Sequence, residues 1–154
     1  MKQYRPATIR DAIAVANNLR DEDRREVEGL GLSLLHLPFG IATCDFATYF
    51  YTRDGLDAGI AGISDVGNGV GQIWMLCTPA IFKEPITFVK QARLWLSEVE
   101  HNYQLLWNLA DARNHTHHRL LKHLGFKALR AVPCGPDQLP YFEIVKLCVQ
   151  FQEQ

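Results

Sequence analysis

The stretch Tyr103 to Phe126, YQLLWNLADARNHTHHRLLKHLGF, decides the fold. Gln104 to Leu109 is short, apolar and aromatic, the pattern of a buried central strand. Asp111 to Asn114 is a polar turn, and Asn114 stands where a helix N-cap is wanted. Leu120, Leu121 and Leu124 then share one helical face. Gly125 follows at the position of a left-handed C-cap, and Phe126 resumes an extended segment that runs to Val132.

Working outward, Gln3 to Thr8 reads as an edge strand that tolerates Pro6. Thr8, three residues before Asp11, gives a cap-like start to a helix from Asp11 to Leu19, and Asp21-Glu22-Asp23 place acids in the first turn of a second helix, Asp21 to Glu28. The charges of that second helix read as a solvated face. Ser33 to Phe39 fits a short helix or a loop closed by Pro38. Ala47 to Thr52, Asp57 to Ser64 and Gln72 to Cys77 form an antiparallel meander joined by Asp54-Gly55 and Gly67-Asn68-Gly69 turns. Phe46, Tyr49, Phe50 and Tyr51 do not alternate cleanly, so they either cover both faces of the sheet or expose one to a partner. Pro85 opens a helix to His101, with Val89, Ala92, Leu96 and Val99 on its core face and Trp95 beside them. Pro133 to Pro140 reads as a loop before a last strand, Tyr141 to Val149. The order is β-α-α-β-β-β-α-β-α-β-β, an α+β chain with one domain over residues 1–154.

The composition excludes several classes. A chain of 154 residues with 47% hydrophobic and 21% charged residues is globular. A net charge of −1 argues against bulk binding to nucleic acid or to an anionic membrane. No apolar run approaches the roughly 18 residues of a membrane helix, and no signal-peptide pattern opens the chain. The four cysteines are scattered without a C-x-x-C pair and read as free thiols. His115 and His118 share a helix face, but no Cys or carboxylate stands at metal-ligand spacing beside them, so no metal site is expected and the His115/His117/His118 cluster has no assigned role.

The element order resembles that of GNAT-type N-acetyltransferases over the whole chain. Asn114 and Gly125, eleven residues apart, match the spacing between an Asn and the Gly of a helix-ending LGF in that family. The segment LLWNLADARNHTHHRLLKHLGF also resembles the small GNAT-like internal virion and head-assembly proteins of short-tailed bacteriophages. The resemblance implies a mixed sheet of about seven strands. It further implies an acetyl-CoA site built from a glycine-rich pyrophosphate loop, a splayed fourth strand and a tyrosine in the fourth family helix. On that pattern Leu76, Cys77, Thr78, Lys83 and Asn114 would face the cofactor, and Asp111 would be the only available base.

The chain departs from the pattern where the chemistry lies. Thr78 to Thr87 contains no glycine, Pro79 and Pro85 each remove a backbone donor, and Glu84 would repel phosphate. The tyrosine position, four residues before Gly125, is Leu121. The expectation is therefore a virion-assembly protein that has lost acyl-CoA chemistry and needs no cofactor, placed in a virion interior or host cytoplasm and partnered by other virion or host proteins. The alternatives are an active acetyl-CoA-dependent N-acetyltransferase with an atypical loop, and a non-catalytic module that binds CoA or a host protein.

Overall fold

The computed structural model of the chain describes residues 1–34 and 36–148. Seven strands form one sheet in the order β1-β2-β3-β4-β5-β7-β6. They are β1 (Tyr4–Pro6), β2 (Thr48–Tyr51), β3 (Asp57–Gly67), β4 (Val70–Cys77), β5 (Leu105–Asp111), β6 (Lys127–Cys134) and β7 (Leu139–Leu147). All neighbours are antiparallel except β4 and β5. The helices are α1 (Ile9–Ala16), α2 (Asp21–Gly29), α3 (His36–Thr43), α4 (Pro85–Val99) and α5 (His115–His123). α4 supplies the crossover that a parallel β4–β5 pair requires.

Both faces of the sheet are covered. On one, Phe88, Ala92, Trp95 and Leu96 of α4 and Leu121 of α5 pack with Phe50, Ile63 and Leu106. On the other, Ala12, Val15 and Ala16 of α1 pack with Tyr49 and Ile60. The irregular aromatic run of β2 follows from this: Phe50 meets Trp95 edge to face across one layer, and Tyr49 faces the other. α4 therefore turns Phe88 inward as a buried core residue, with Val89 half-buried at the edge of the core face. β3 is buried over most of its length, which explains its glycines. A Cβ on Gly62 would lie 2.5 Å from the Trp74 ring and 2.8 Å from Cys44 Sγ.

Several local readings hold in detail. Thr8 and Asp11 form a reciprocal capping box. α5 is capped by Asn114 and ends in a complete Schellman motif: Gly125 has φ +94°, Phe126 N–H donates to Leu121 O, and Gly125 N–H donates to Lys122 O. Other boundaries move. α1 begins at Ile9 and stops at Ala16, short of Leu19, and α4 ends at Val99, where a 3₁₀ turn over Glu100–Asn102 takes over. The ambiguous segment after Ser33 becomes α3, with Pro38 in its first turn, where no helical hydrogen bond is lost. Pro133 pairs with Pro140 and Cys134 with Leu139 as the last two rungs before the β6–β7 turn, so the loop shrinks to residues 135–138. The expected end of the last strand at Val149 lies outside the described residues. Among those described, no helix is long and apolar enough to cross a membrane.

Candidate functional site

β4 and β5 pair over three positions only, from Val70–Leu105 to Gln72–Trp107, and then diverge. Asn108 is the wedge. Its Nδ2 donates to Ile73 O at 2.5 Å, and its Oδ1 accepts from Leu109 N–H at 2.7 Å. A continued parallel ladder would join Ile73 O to Leu109 N–H directly, so the carboxamide stands in for that rung and holds the strands apart. A cavity of about 260 Å³ occupies the split. Its walls are apolar, with Met75 from β4, Leu109 and Ala110 from β5, Trp95 from α4 and Leu121 from α5.

Side chains of α2 span the mouth of the split. The Asp23 carboxylate accepts from Cys77 N–H at the end of β4 (2.8 Å), and the Glu26 carboxylate accepts from Asp111 N–H at the end of β5 (2.7 Å). Arg20 N–H, just before the helix, donates to Cys77 O at 3.0 Å. Its guanidinium donates to both Asp23 oxygens and to Asn114 Oδ1, while Asn114 Nδ2 donates to Asp23 Oδ1. Tyr141, fully buried, donates its hydroxyl to Glu26 O at 2.6 Å. Arg20 and Asp23 are 3% and 0% exposed, so this is a buried ion pair; Nε and Nη2 of Arg20 are hydrogen-bonded, while its buried Nη1 has no hydrogen-bond partner among the described residues and lies 3.8 Å from Glu22 Oε1. The charged run of α2 is solvated on one side only: Asp21, Arg25 and Glu28 are exposed, while Asp23 and Glu26 are buried.

The charges of the network pull against each other. Burial pushes the Asp23 carboxyl up, but His117 and Arg20 outweigh it and hold the group below the usual carboxylate range. Burial raises the Glu26 carboxyl, and His117 only partly offsets this. Burial would lower the His117 imidazole, yet Glu26 and Asp23 together raise it above its ordinary value. Cys77, desolvated at the end of β4, keeps its thiol neutral.

Of the residues expected from sequence, Cys77, Asp111 and Asn114 meet at the Asp23–Glu26 pair, each through its backbone or amide rather than as a reactive group, whereas Lys83 does not join them. Asp111 is 1% exposed and is turned to Arg113, whose backbone N–H, Nε and Nη2 all donate to it. Burial pushes its carboxyl up, but these bonds prevail and keep it below the usual range, which makes it a weak base. Asn114 caps α5 and joins the Asp23 network. Leu76 packs against the α1-side cluster and also lines the cavity. Cys77 contributes its peptide group, already bonded to α2. Thr78 caps a 3₁₀ turn, Pro79–Lys83, that occupies the position expected for a phosphate cradle. Lys83 ends that turn and is exposed, and the neighbouring Phe82 and Ile86 are 55% and 72% exposed. The Glu84 carboxylate sits at the N-terminus of α4 and accepts from Arg53 N–H and Gln3 Nε2. Leu121, at the tyrosine position, is core.

The sequence pattern assigns no site role to Arg20, Asp23, Glu26, Asn108 or His117. One signal was present. Asp23, Glu26, Val27 and Leu30 fall at i, i+3, i+4 and i+7, the spacing of a core-facing stripe, and Glu26, Val27 and Leu30 all line the cavity.

Comparison of the sequence finds no matching family model and no matching curated protein. Comparison of the structure finds many. A phosphinothricin acetyltransferase of the GNAT superfamily from Sinorhizobium meliloti, solved with AcCoA, superposes with a TM-score of 0.72 at 13% identity, covering 94% of this chain and 87% of that one. A ribosomal-protein-alanine N-acetyltransferase from Brucella melitensis gives 0.69 at 16% identity, with 94% and 98% covered. AAC(6')-Ib, solved with ribostamycin and coenzyme A, gives 0.66 at 18% identity, with 99% and 96% covered. None of these is a virion protein, and the expected virion role has no counterpart among them. Strand order, crossover, split and superposition agree that this chain has the GNAT-type acetyltransferase fold.

Proposed function

We propose that this chain is a GNAT-fold protein whose acyl-CoA entrance has been closed and which works by binding rather than by acetyl transfer. The observation that carries this reading is the pair of α2 carboxylates. Asp23 and Glu26 take the N–H groups at the ends of β4 and β5, so the backbone donors at the mouth of the split are already used. An incoming polyanion would also meet two carboxylates where a phosphate site needs free N–H groups. The 3₁₀ turn after β4 has Pro79 at its start, and Ala80 and Ile81 N–H groups are spent on Thr78. A role in virion assembly, with virion or host proteins as partners, rests on the resemblance of the 105–126 segment alone.

The second reading is an active acetyltransferase. It is favoured by the retained split and by the similar structures solved with AcCoA or coenzyme A. Isothermal titration of acetyl-CoA into the purified chain separates the two. A closed entrance gives a Kd above about 1 mM, less than about 4 kcal/mol of binding. Micromolar affinity would overturn the proposal in favour of the enzyme.

A further inference from the structure

Three ligand-type atoms surround a small gap at the mouth of the split. His117 Nδ1 lies 3.8 Å from Glu26 Oε2 and 4.0 Å from Asp23 Oδ1, and all three atoms fall within 4.8 Å of one another. These separations are too long for direct N–H···O bonds, which run to about 3.2 Å. The two histidine–carboxylate separations match donor atoms that share an ion at about 2.0–2.2 Å from each, since such pairs sit between about 3 and 4.4 Å apart, and the two carboxylate oxygens lie within 4.8 Å of each other. Among the described residues neither Glu26 Oε2 nor His117 Nδ1 has a partner at hydrogen-bond distance, although the Glu26 side chain is only 10% exposed. Asp23 Oδ1 already accepts from Arg20 and Asn114, so it is the weaker third ligand.

The ligands are held in place from behind. Cys77 N–H fixes Asp23, Asp111 N–H fixes Glu26, and the Asn114 cap fixes the backbone of His117. Such support orients ligands for a metal. Glu26 and His117 both line the apolar cavity, so an open coordination position would face it. One imidazole with two carboxylates is an N/O donor set suited to zinc-class cations and poorly suited to magnesium or calcium. Arg20 neutralises Asp23, which leaves Glu26 as the charge that a cation would balance.

We propose that Asp23, Glu26 and His117 form a binding site for one divalent transition-metal cation of the zinc class. His115 and His118 share a face of the same helix, but His118 Nε2 is spent on Asp111 O at 2.8 Å. The carboxylates that complete a site, Asp23 and Glu26, come from α2, 94 and 91 residues from His117 along the chain.

The test is calorimetric titration of ZnCl₂ into the purified chain at pH 7.5, beside the imidazole NMR spectrum of the unmutated protein. The expected result is one site, with the His117 ring resonances moving while those of His115 and His123 stay. His117→Gln should weaken binding by about 100-fold or more, with Glu26→Gln as the second variant if the first does not fold. A His115→Gln/His123→Gln variant should bind as the parent does. No binding at 1 mM ZnCl₂, or binding that survives His117→Gln and vanishes with His115 and His123, would overturn the proposal. Acetyl-CoA affinity is measured separately, so either reading can fail without the other.

Discussion

Asp23 carries more of the site than any other side chain, and its removal has a calculable consequence. Asp23→Ala leaves the Arg20 guanidinium, 3% exposed, without its hydrogen-bonded charge partner and with only Glu22, at 3.8 Å, nearby. Breaking a buried pair from one side costs about 3–5 kcal/mol, and urea unfolding should read that loss. A loss under about 1 kcal/mol would mean that Arg20 is satisfied elsewhere. His117 gives a pH signature. Its pKa is raised by Glu26 and Asp23, so the folded chain binds its proton more tightly than the unfolded chain does. The stabilisation is complete below the ordinary histidine value of about 6.5 and is lost as pH rises through the higher folded value. Glu26, also raised, acts in the same direction at lower pH. Melting temperature should therefore fall as pH rises above about 6.5, and His117→Gln should flatten that slope. An unchanged slope in the variant would assign the effect to other groups.

Among the elements, the β4–β5 split and the buried β3 are the informative ones. Asn108→Leu removes the amide that serves Ile73 O and Leu109 N–H. If the strands stay apart, two peptide groups lose partners, and the chain should lose about 1–3 kcal/mol in chemical denaturation. No loss would mean that the strands close and make the rung themselves. In β3, Gly62→Ala drives a methyl into Trp74 and Cys44. Overpacking of this kind costs about 1–3 kcal/mol, and a melting temperature equal to the parent's would show that Trp74 can move aside.

For the whole molecule, the closed entrance predicts how stability responds to cofactor. With a Kd above about 1 mM, 1 mM acetyl-CoA adds less than about 0.4 kcal/mol. That shifts the melting temperature by no more than about 2 °C in a chain of this size. A larger upward shift, at any salt concentration, would show that the cofactor reaches the split. The fold that permits both outcomes is shared with acetyltransferases at 13–18% identity in the three superpositions described, and a shared fold does not fix activity.

The fold was legible in the chain because its signals are local. Asn114, Leu121 and Gly125 specify a capped and terminated helix by neighbours within a dozen residues, and the turns at Gly55 and Gly69 fix the meander in the same way. The missing cradle glycines and Leu121 were equally plain, since absence of a residue type needs no coordinates. What tertiary structure alone decided is the direction of charge. An acid-rich first turn on α2 has the same local sequence logic whether it meets water or a strand end. Only the packing of α2 across β4 and β5 brings Asp23 to Cys77 and Glu26 to Asp111, over separations of 54 and 85 residues. Hydrogen bonds of that range leave no periodic trace in sequence, because they depend on where the sheet places its unpaired peptide groups.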